Sequence, residues 1–164
     1  MYGSDETEVC VWQVFQFFKG SLCISMKNMA GYSGTPLAKK LGIKEGHRIY
    51  IKNPPGEEYM ALFNEFPDDV QILKKAGGNL DMVHIFRKSR RELDKEVSRL
   101  ILKIKSDGMI WVSWPKKSAK MATDVTEDVI REVILPLGLV DVKVCAVSEI
   151  WSGLKLVIRK ENRT

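Results

Sequence analysis

The chain has 164 residues, 45% of them apolar and 29% charged. That length and composition suit one globular domain with a real core, and they exclude a disordered chain, a collagen-like repeat and a disulfide-stapled miniprotein. Lys and Arg total 26 against 21 Asp and Glu, a net charge of +5, which favours a small anionic ligand or an acidic protein surface as partner. The basic residues fall in short groups: Lys39-Lys40, Lys74-Lys75, Arg87-Lys88 with Arg90-Arg91, and Lys116-Lys117 with Lys120. No long basic run marks a nucleic-acid interface, so nucleic acid is disfavoured.

Residues 1–28 read as an extension to a single domain over 29–164. Val9 to Met26 is apolar and aromatic, but it is short and interrupted by Gln13, Gln16 and Lys19, so no membrane span is expected. Asp5, Glu6 and Glu8 precede it, where a secretion signal carries basic residues. Met29 is a candidate initiator, which makes 1–28 a start-site over-read. The alternative is an amphipathic segment that docks on the domain or on a second subunit. The cysteines, Cys10, Cys23 and Cys145, are odd in number. They lack C-x-x-C spacing and a nearby His. A reducing cytoplasm is expected, and no metal site.

Thr35-Pro36 predicts a helix start, with Thr as cap and Pro at the first helical position. The helix runs from Pro36 to Leu41 and stops at Gly42. His47 to Ile51 reads as a strand, ended by Asn53-Pro54-Pro55-Gly56, because proline cannot donate to a ladder. A short helix follows over Glu57 to Asn64. Val70 to Leu73 is a second strand, and Gly77-Gly78-Asn79 a turn. Met82 to Phe86 is nearly all apolar, as expected of a strand covered on both faces.

Ser89 with Glu92 forms a capping box for the longest helix. Its stripe is Leu93, Val97, Leu100, Ile101 and Ile104, and Asp107-Gly108 stops it. Met109 to Ser113 is another strand, ended by Pro115. Asp124 and Glu127 predict the cap of a last helix whose inner face is Val129, Ile130, Val133 and Ile134, with Pro136 and Gly138 ending it. Lys143 to Ile150 and Leu154 to Arg159 read as an antiparallel hairpin joined near Trp151-Ser152-Gly153. Strands alternating with helices imply a three-layer α/β fold with a mainly parallel sheet. The expected class is Rossmann-like, a shortened methyltransferase type with a C-terminal antiparallel hairpin strand.

In such a sheet ligands bind beyond the carboxyl ends of the parallel strands. The loop after the first strand, Asn53 to Gly56, has one glycine and two prolines, not a glycine-rich turn. The second strand ends in Lys74-Lys75, where an acid would hold a ribose. No dinucleotide, phosphate-loop or metal motif is present. Asn53-Pro54-Pro55 shares the N-P-P core of amino-methyltransferases, but it follows the first strand and precedes Gly56 instead of an aromatic. Trp114, Lys116 and Lys117 lie just beyond a strand end, where amines neutralise phosphate and an indole stacks on a base. Ser113 and Ser118 have no His nearby in sequence and no G-x-S-x-G elbow. His47 and His84 read as strand histidines, Cys145 as a small buried thiol. Asp124, Glu127, Asp128 and Glu132 read as compensation of a helix dipole.

Three segments occur in order: Ala30 to Ile43 (AGYSGTPLAKKLGI), Trp111 to Lys117 (WVSWPKK), and Gly138 to Val147 followed by Trp151 to Leu154. Together they resemble the short bacterial proteins grouped as domain of unknown function 3052, over roughly Met29 to Asn162. The resemblance implies a bacterial source and a cytoplasmic location, and carries over no catalytic residue. Its polar positions that folding explains least are Trp114, Lys116, Lys117, Trp151 and Ser152. With Asn53 and Gly56 these are the candidate ligand-binding residues. The expected function is a non-enzymatic domain holding an anionic, nucleotide-like ligand or an acidic partner. The alternatives are a divergent S-adenosylmethionine-dependent methyltransferase and a subunit of a larger complex.

Overall fold

A computed structural model describes residues 34–63 and 66–163. The expectations for residues 1–28, with Cys10 and Cys23, lie outside the described residues, as does the helix end at Asn64. The elements are α1 (Leu37–Leu41), β1 (Arg48–Lys52), α2 (Glu57–Ala61), β2 (Gln71–Leu73), β3 (Leu80–Phe86), α3 (Arg90–Leu100), β4 (Ile104–Pro115), α4 (Glu127–Ile134), β5 (Leu139–Ala146) and β6 (Trp151–Ile158). Short 3-10 turns cover Lys117–Ala119, Leu135–Leu137 and Lys160–Asn162.

One six-stranded sheet has the order β2-β1-β3-β4-β6-β5. β1 pairs in parallel with β2 and β3, and β3 with β4. β6 is antiparallel to both β4 and β5. The chain leaves β1 toward β2 on one side of the sheet's middle, and leaves β3 toward β4 on the other. The topological switch therefore falls between β1 and β3.

Alternation along the strands divides the core. Val83, Ile85, Ile110, Val112, Leu154 and Leu156 face α3 and α4, which contribute Leu93, Val97, Ile130 and Ile134. Ile49, Met82, Phe86, Trp111 and Trp151 face α1 and α2, which contribute Leu37, Leu41 and Tyr59. Trp111 Nε1 donates to the Leu41 carbonyl at 3.0 Å and ties α1 to the sheet. Among the described residues no helix is long and apolar enough to cross a membrane.

Several local expectations are corrected by distant contacts. Pro36, not Thr35, is the N-cap of α1, while Gly42 ends it at φ 77° as expected. The stripe of α3 stops at Leu100, and Ile104 opens β4 by pairing with Leu80. The register then jumps from Leu80–Ile104 to Met82–Met109. Gly108 sits within this bulge. A Cβ there would lie 2.9 Å from the Leu80 carbonyl oxygen and 3.0 Å from the Lys105 backbone, so glycine serves a close strand approach and no helix stop. The hairpin turn is Val147 to Ile150, and Trp151-Ser152-Gly153 belong to β6. Ser148 Oγ accepts from the backbone N–H of Ile150 and Trp151 and shapes that turn.

The helix caps are also exchanged. The Ser89 side chain does not cap α3. Asp124 Oδ1 instead accepts from Arg90 N at 2.7 Å, across 34 residues. Thr123 Oγ1 and Asp124 N both donate to the Lys88 carbonyl, which brings the two segments together. Thr126 then caps α4 through Val129 N.

Replacing Asp124 with Ala should therefore lower stability by about 1 kcal/mol, the usual cost of a lost N-cap. Ser89→Ala should change it little. Urea denaturation of the two variants separates this long-range cap from a local capping box, which predicts the reverse order.

Candidate functional site at the carboxyl edge

Parallel pairing places the carboxyl ends of β1, β2, β3 and β4 along one edge. Asn53 to Gly56, Lys74 and Lys75, Arg87 to Ser89 and the segment from Lys116 onward line it. Asn53 turns the chain at φ 52°, and Gly56 adopts φ 134°, ψ −176°, a backbone region open essentially to glycine alone. Pro54 and Pro55 between them offer no N–H. α2 begins directly afterwards with Glu57 and Glu58.

At the switch point three charged side chains meet. Lys52 pairs with Ile85 in the β1–β3 register. Lys52 and Arg87, which directly follows β3 two residues beyond Ile85, therefore share the face that α3 covers. Glu96 of α3 reaches both: its Oε1 contacts Lys52 Nζ and its Oε2 contacts Arg87 Nη2. Arg87 Nη1 donates to the Phe86 carbonyl at 3.1 Å. Among the described residues Arg87 Nε and Glu96 Oε2 are buried without a hydrogen bond, although Oε2 keeps its ion-pair contact with Arg87 Nη2. Arg87 and Glu96 are both 7% exposed, whereas the Lys52 side chain is 39% exposed. These residues were not among the sequence candidates. The signal was present: Glu96 stands three residues after Leu93 and four before Leu100, inside an otherwise apolar stripe.

The sequence candidates share this edge but do not form one cluster. Trp114 pairs with Ser152, and Pro115 with Trp151, across β4 and β6. The two indoles point to opposite faces of the sheet: Trp114 packs partly buried on the α3–α4 side. Trp151 is buried on the other side with its ring edge-on to Phe86, centroids 5.2 Å apart. Its ring is thus engaged in the core. Lys116 is partly buried and fixed by a backbone bond to the Ile150 carbonyl, and Lys117 is exposed. Asn53 and Gly56 are exposed at the end of β1, with β3 between them and β4. Cys145 is half-buried, and burial pushes its thiol pKa up.

A second polar group lies on the opposite face of the sheet. Tyr59 Oη and His84 Nδ1 are 2.6 Å apart, and His84 Nε2 and Ser113 Oγ are 2.7 Å apart. Ser113 thus meets a histidine that sequence distance concealed: His84 is aligned with Trp111, which puts Ser113 one same-face step away. A neutral imidazole has one donor and one acceptor. With the phenol donating to Nδ1, Nε2–H donates to Ser113. All three side chains are buried, His84 stacks on Phe86 at 4.4 Å, and Gly153 closes over Ser113. The chain is internally satisfied and leaves no face of Ser113 for a substrate, so it is a structural network and not a nucleophile–base pair. Burial holds His84 neutral, its pKa lowered from 6.5 to about 3.

No protein-family model matches the chain, and no curated protein matches it in sequence. Solved structures share its architecture. A SAM-dependent methyltransferase from Aquifex aeolicus aligns with a TM-score of 0.50 at 13% identity, over 74% of this chain and 88% of that one. Ribosomal protein L11 methylase from Lactobacillus delbrueckii subsp. bulgaricus aligns with a TM-score of 0.49 at 11% identity, over 75% of each chain. The fold is the Rossmann-like methyltransferase type, with a mostly parallel sheet and a C-terminal antiparallel hairpin, as the element order predicts.

Burial of a neutral His84 makes stability depend on pH. The folded pKa lies below the unfolded one, so the unfolded chain takes up a proton that the native state refuses. Stability is retained above pH 6.5 and falls between 6.5 and about 3, by up to about 1.4 kcal/mol per pH unit from this group. Urea unfolding at a series of pH values should give a shallower slope for His84→Gln than for the native chain. Equal slopes would exclude a buried neutral imidazole. Tyr59→Phe should cost about 1–3 kcal/mol at neutral pH by leaving Nδ1 without a partner.

Proposed function

We propose that this chain is a divergent S-adenosylmethionine-dependent methyltransferase, with its ligand at the carboxyl edge between β1 and β3. The observation that carries the reading is the position of the switch point in a methyltransferase-type sheet. Open α/β sheets take their ligands there, and the likeness to the Aquifex aeolicus enzyme spans most of both chains. Gly56 supports it further, since its backbone conformation permits a close ligand approach at the end of β1. A transferred methyl group leaves the ligand's sulfonium for a nucleophile on the acceptor, and no residue of this chain is assigned as a base for that step.

A second reading is favoured by the charge of the edge. Lys74 and Lys75 follow β2, Lys88 follows β3, and Lys116 and Lys117 follow β4. A domain of this shape without catalysis would hold an anionic, nucleotide-like ligand or an acidic partner there, with Trp114 beside the two lysines. The cytoplasmic location and the bacterial family resemblance belong to both readings.

A thermal-shift comparison of S-adenosylmethionine, S-adenosylhomocysteine, ATP and NAD on the full chain separates them. A ligand at about 100 times its Kd adds roughly 2.7 kcal/mol, several degrees for a domain of this size. Stabilisation by the two adenosyl ligands supports the methyltransferase reading. Stabilisation by ATP alone, lost in the Lys116→Ala, Lys117→Ala double variant, supports the second. No shift with any of them counts against both.

A further inference from the structure

We infer that Lys52 and Arg87 form a recognition site for an oxyanion, held ready by Glu96. The inference deepens the carboxyl-edge reading above and names the ligand group that edge receives. Three observations carry it. The two cations stand at the carboxyl ends of the adjacent strands β1 and β3, Lys52 as the last residue of β1 and Arg87 directly after β3, on the same face, at the point where the sheet reverses its winding. Among the described residues Glu96 is the one carboxylate paired with them, which leaves the group with a net positive charge. Among the described residues Arg87 Nε is a buried donor without a hydrogen bond, next to the equally unbonded Glu96 Oε2, and a buried donor left open in a native fold has room for an acceptor supplied from elsewhere.

The chemistry of the acceptor follows from the donors. Guanidinium offers a planar fork that matches carboxylate and phosphate, and the ammonium of Lys52 adds a point charge. Lys52 is 39% exposed and so marks the side from which a ligand enters. Pro54 and Pro55 remove the backbone N–H groups that would otherwise hold an anion in the neighbouring loop. Two sources carry such a group: the amino-acid carboxylate of an adenosylmethionine-type ligand, or the phosphate of a nucleotide.

Isothermal titration of the full chain with two pairs of probes tests this. One pair is S-adenosylhomocysteine and 5′-methylthioadenosine, which lacks the amino-acid carboxylate together with its ammonium. The other is AMP and adenosine. The expected result is at least a tenfold preference for the charged member of one pair, and that pair identifies the source. Lys52→Gln should abolish the preference while leaving affinity for the uncharged member intact. Lys52 is the residue of choice because its loss keeps the buried Arg87–Glu96 pair, and circular dichroism checks the fold. Equal affinities within both pairs, a preference that survives Lys52→Gln, or no binding of any probe would overturn the inference. A Lys52-dependent preference for AMP without S-adenosylhomocysteine binding sustains the inference and removes the methyltransferase reading. Equal, tight binding of S-adenosylhomocysteine and 5′-methylthioadenosine, with AMP and adenosine also equal, does the opposite.

Discussion

The parallel pairing of β3 between β1 and β4 is the constraint on which the other elements depend. Met82 to Phe86 are all buried, with helices against both faces. Parallel neighbours cannot be joined by a tight turn, so the β1–β2 and β3–β4 connections each cross over the sheet through a helix. α2 takes the crossover from β1 on one face, and α3 takes the crossover from β3 on the other. The carboxyl ends of the parallel strands then share one edge, and a gap between diverging connections opens beside the end of β3. The location of the candidate site is thus a consequence of strand pairing, before any side chain is considered.

Burial on both faces also decides how polar residues behave. An imidazole or a guanidinium taken out of water must find partners within the fold. On the α1–α2 face His84 finds Tyr59 and Ser113, and both ring nitrogens are satisfied. On the α3 face Arg87 finds Glu96 and the Phe86 carbonyl, but among the described residues its Nε makes no hydrogen bond. The two networks sit within a few residues of each other on β3 and differ in kind. The closed one specifies packing. The open one borders solvent through Lys52. A Ser–His contact is by content the more enzyme-like of the two, yet its enclosure removes it from chemistry.

Local chemistry made much of the fold legible. The near-continuous apolar run of β3 reads correctly as a central strand, and Ile130, Val133 and Ile134 as the inner face of α4. Gly42 and Gly138 end their helices in the left-handed conformation their positions suggest. The misreadings are those in which a distant segment decides. Ile104 continues the helical stripe in sequence but is claimed by Leu80 across the sheet. Ser89 has the better local capping signal, but Asp124 arrives from 34 residues away. The edge site was legible only in part. Its place followed from the strand order, and Asn53, Gly56, Trp114 and Lys116 do line it. Trp151 shows no signal that separates a core indole from a binding one. The meeting of Lys52, Arg87 and Glu96 requires the β1–β3 register, which no local pattern encodes.

The distribution of charge along the edge also ranks its cations. Lys117 lies in solvent, where a single amine interacts weakly with an anion and is screened by salt. Arg87 is almost enclosed and Lys52 half so. Charge interactions strengthen as water is withdrawn, and a guanidinium already oriented by Glu96 and a backbone carbonyl loses little freedom when it gains one more acceptor. A glycine-rich phosphate loop obtains its grip from several backbone N–H groups at a helix terminus. In this chain the corresponding loop carries two prolines and precedes a helix that opens with two glutamates. The loop after β1 therefore offers an anion no backbone cradle of that kind, and the pair beside the switch point is placed and buried to hold one.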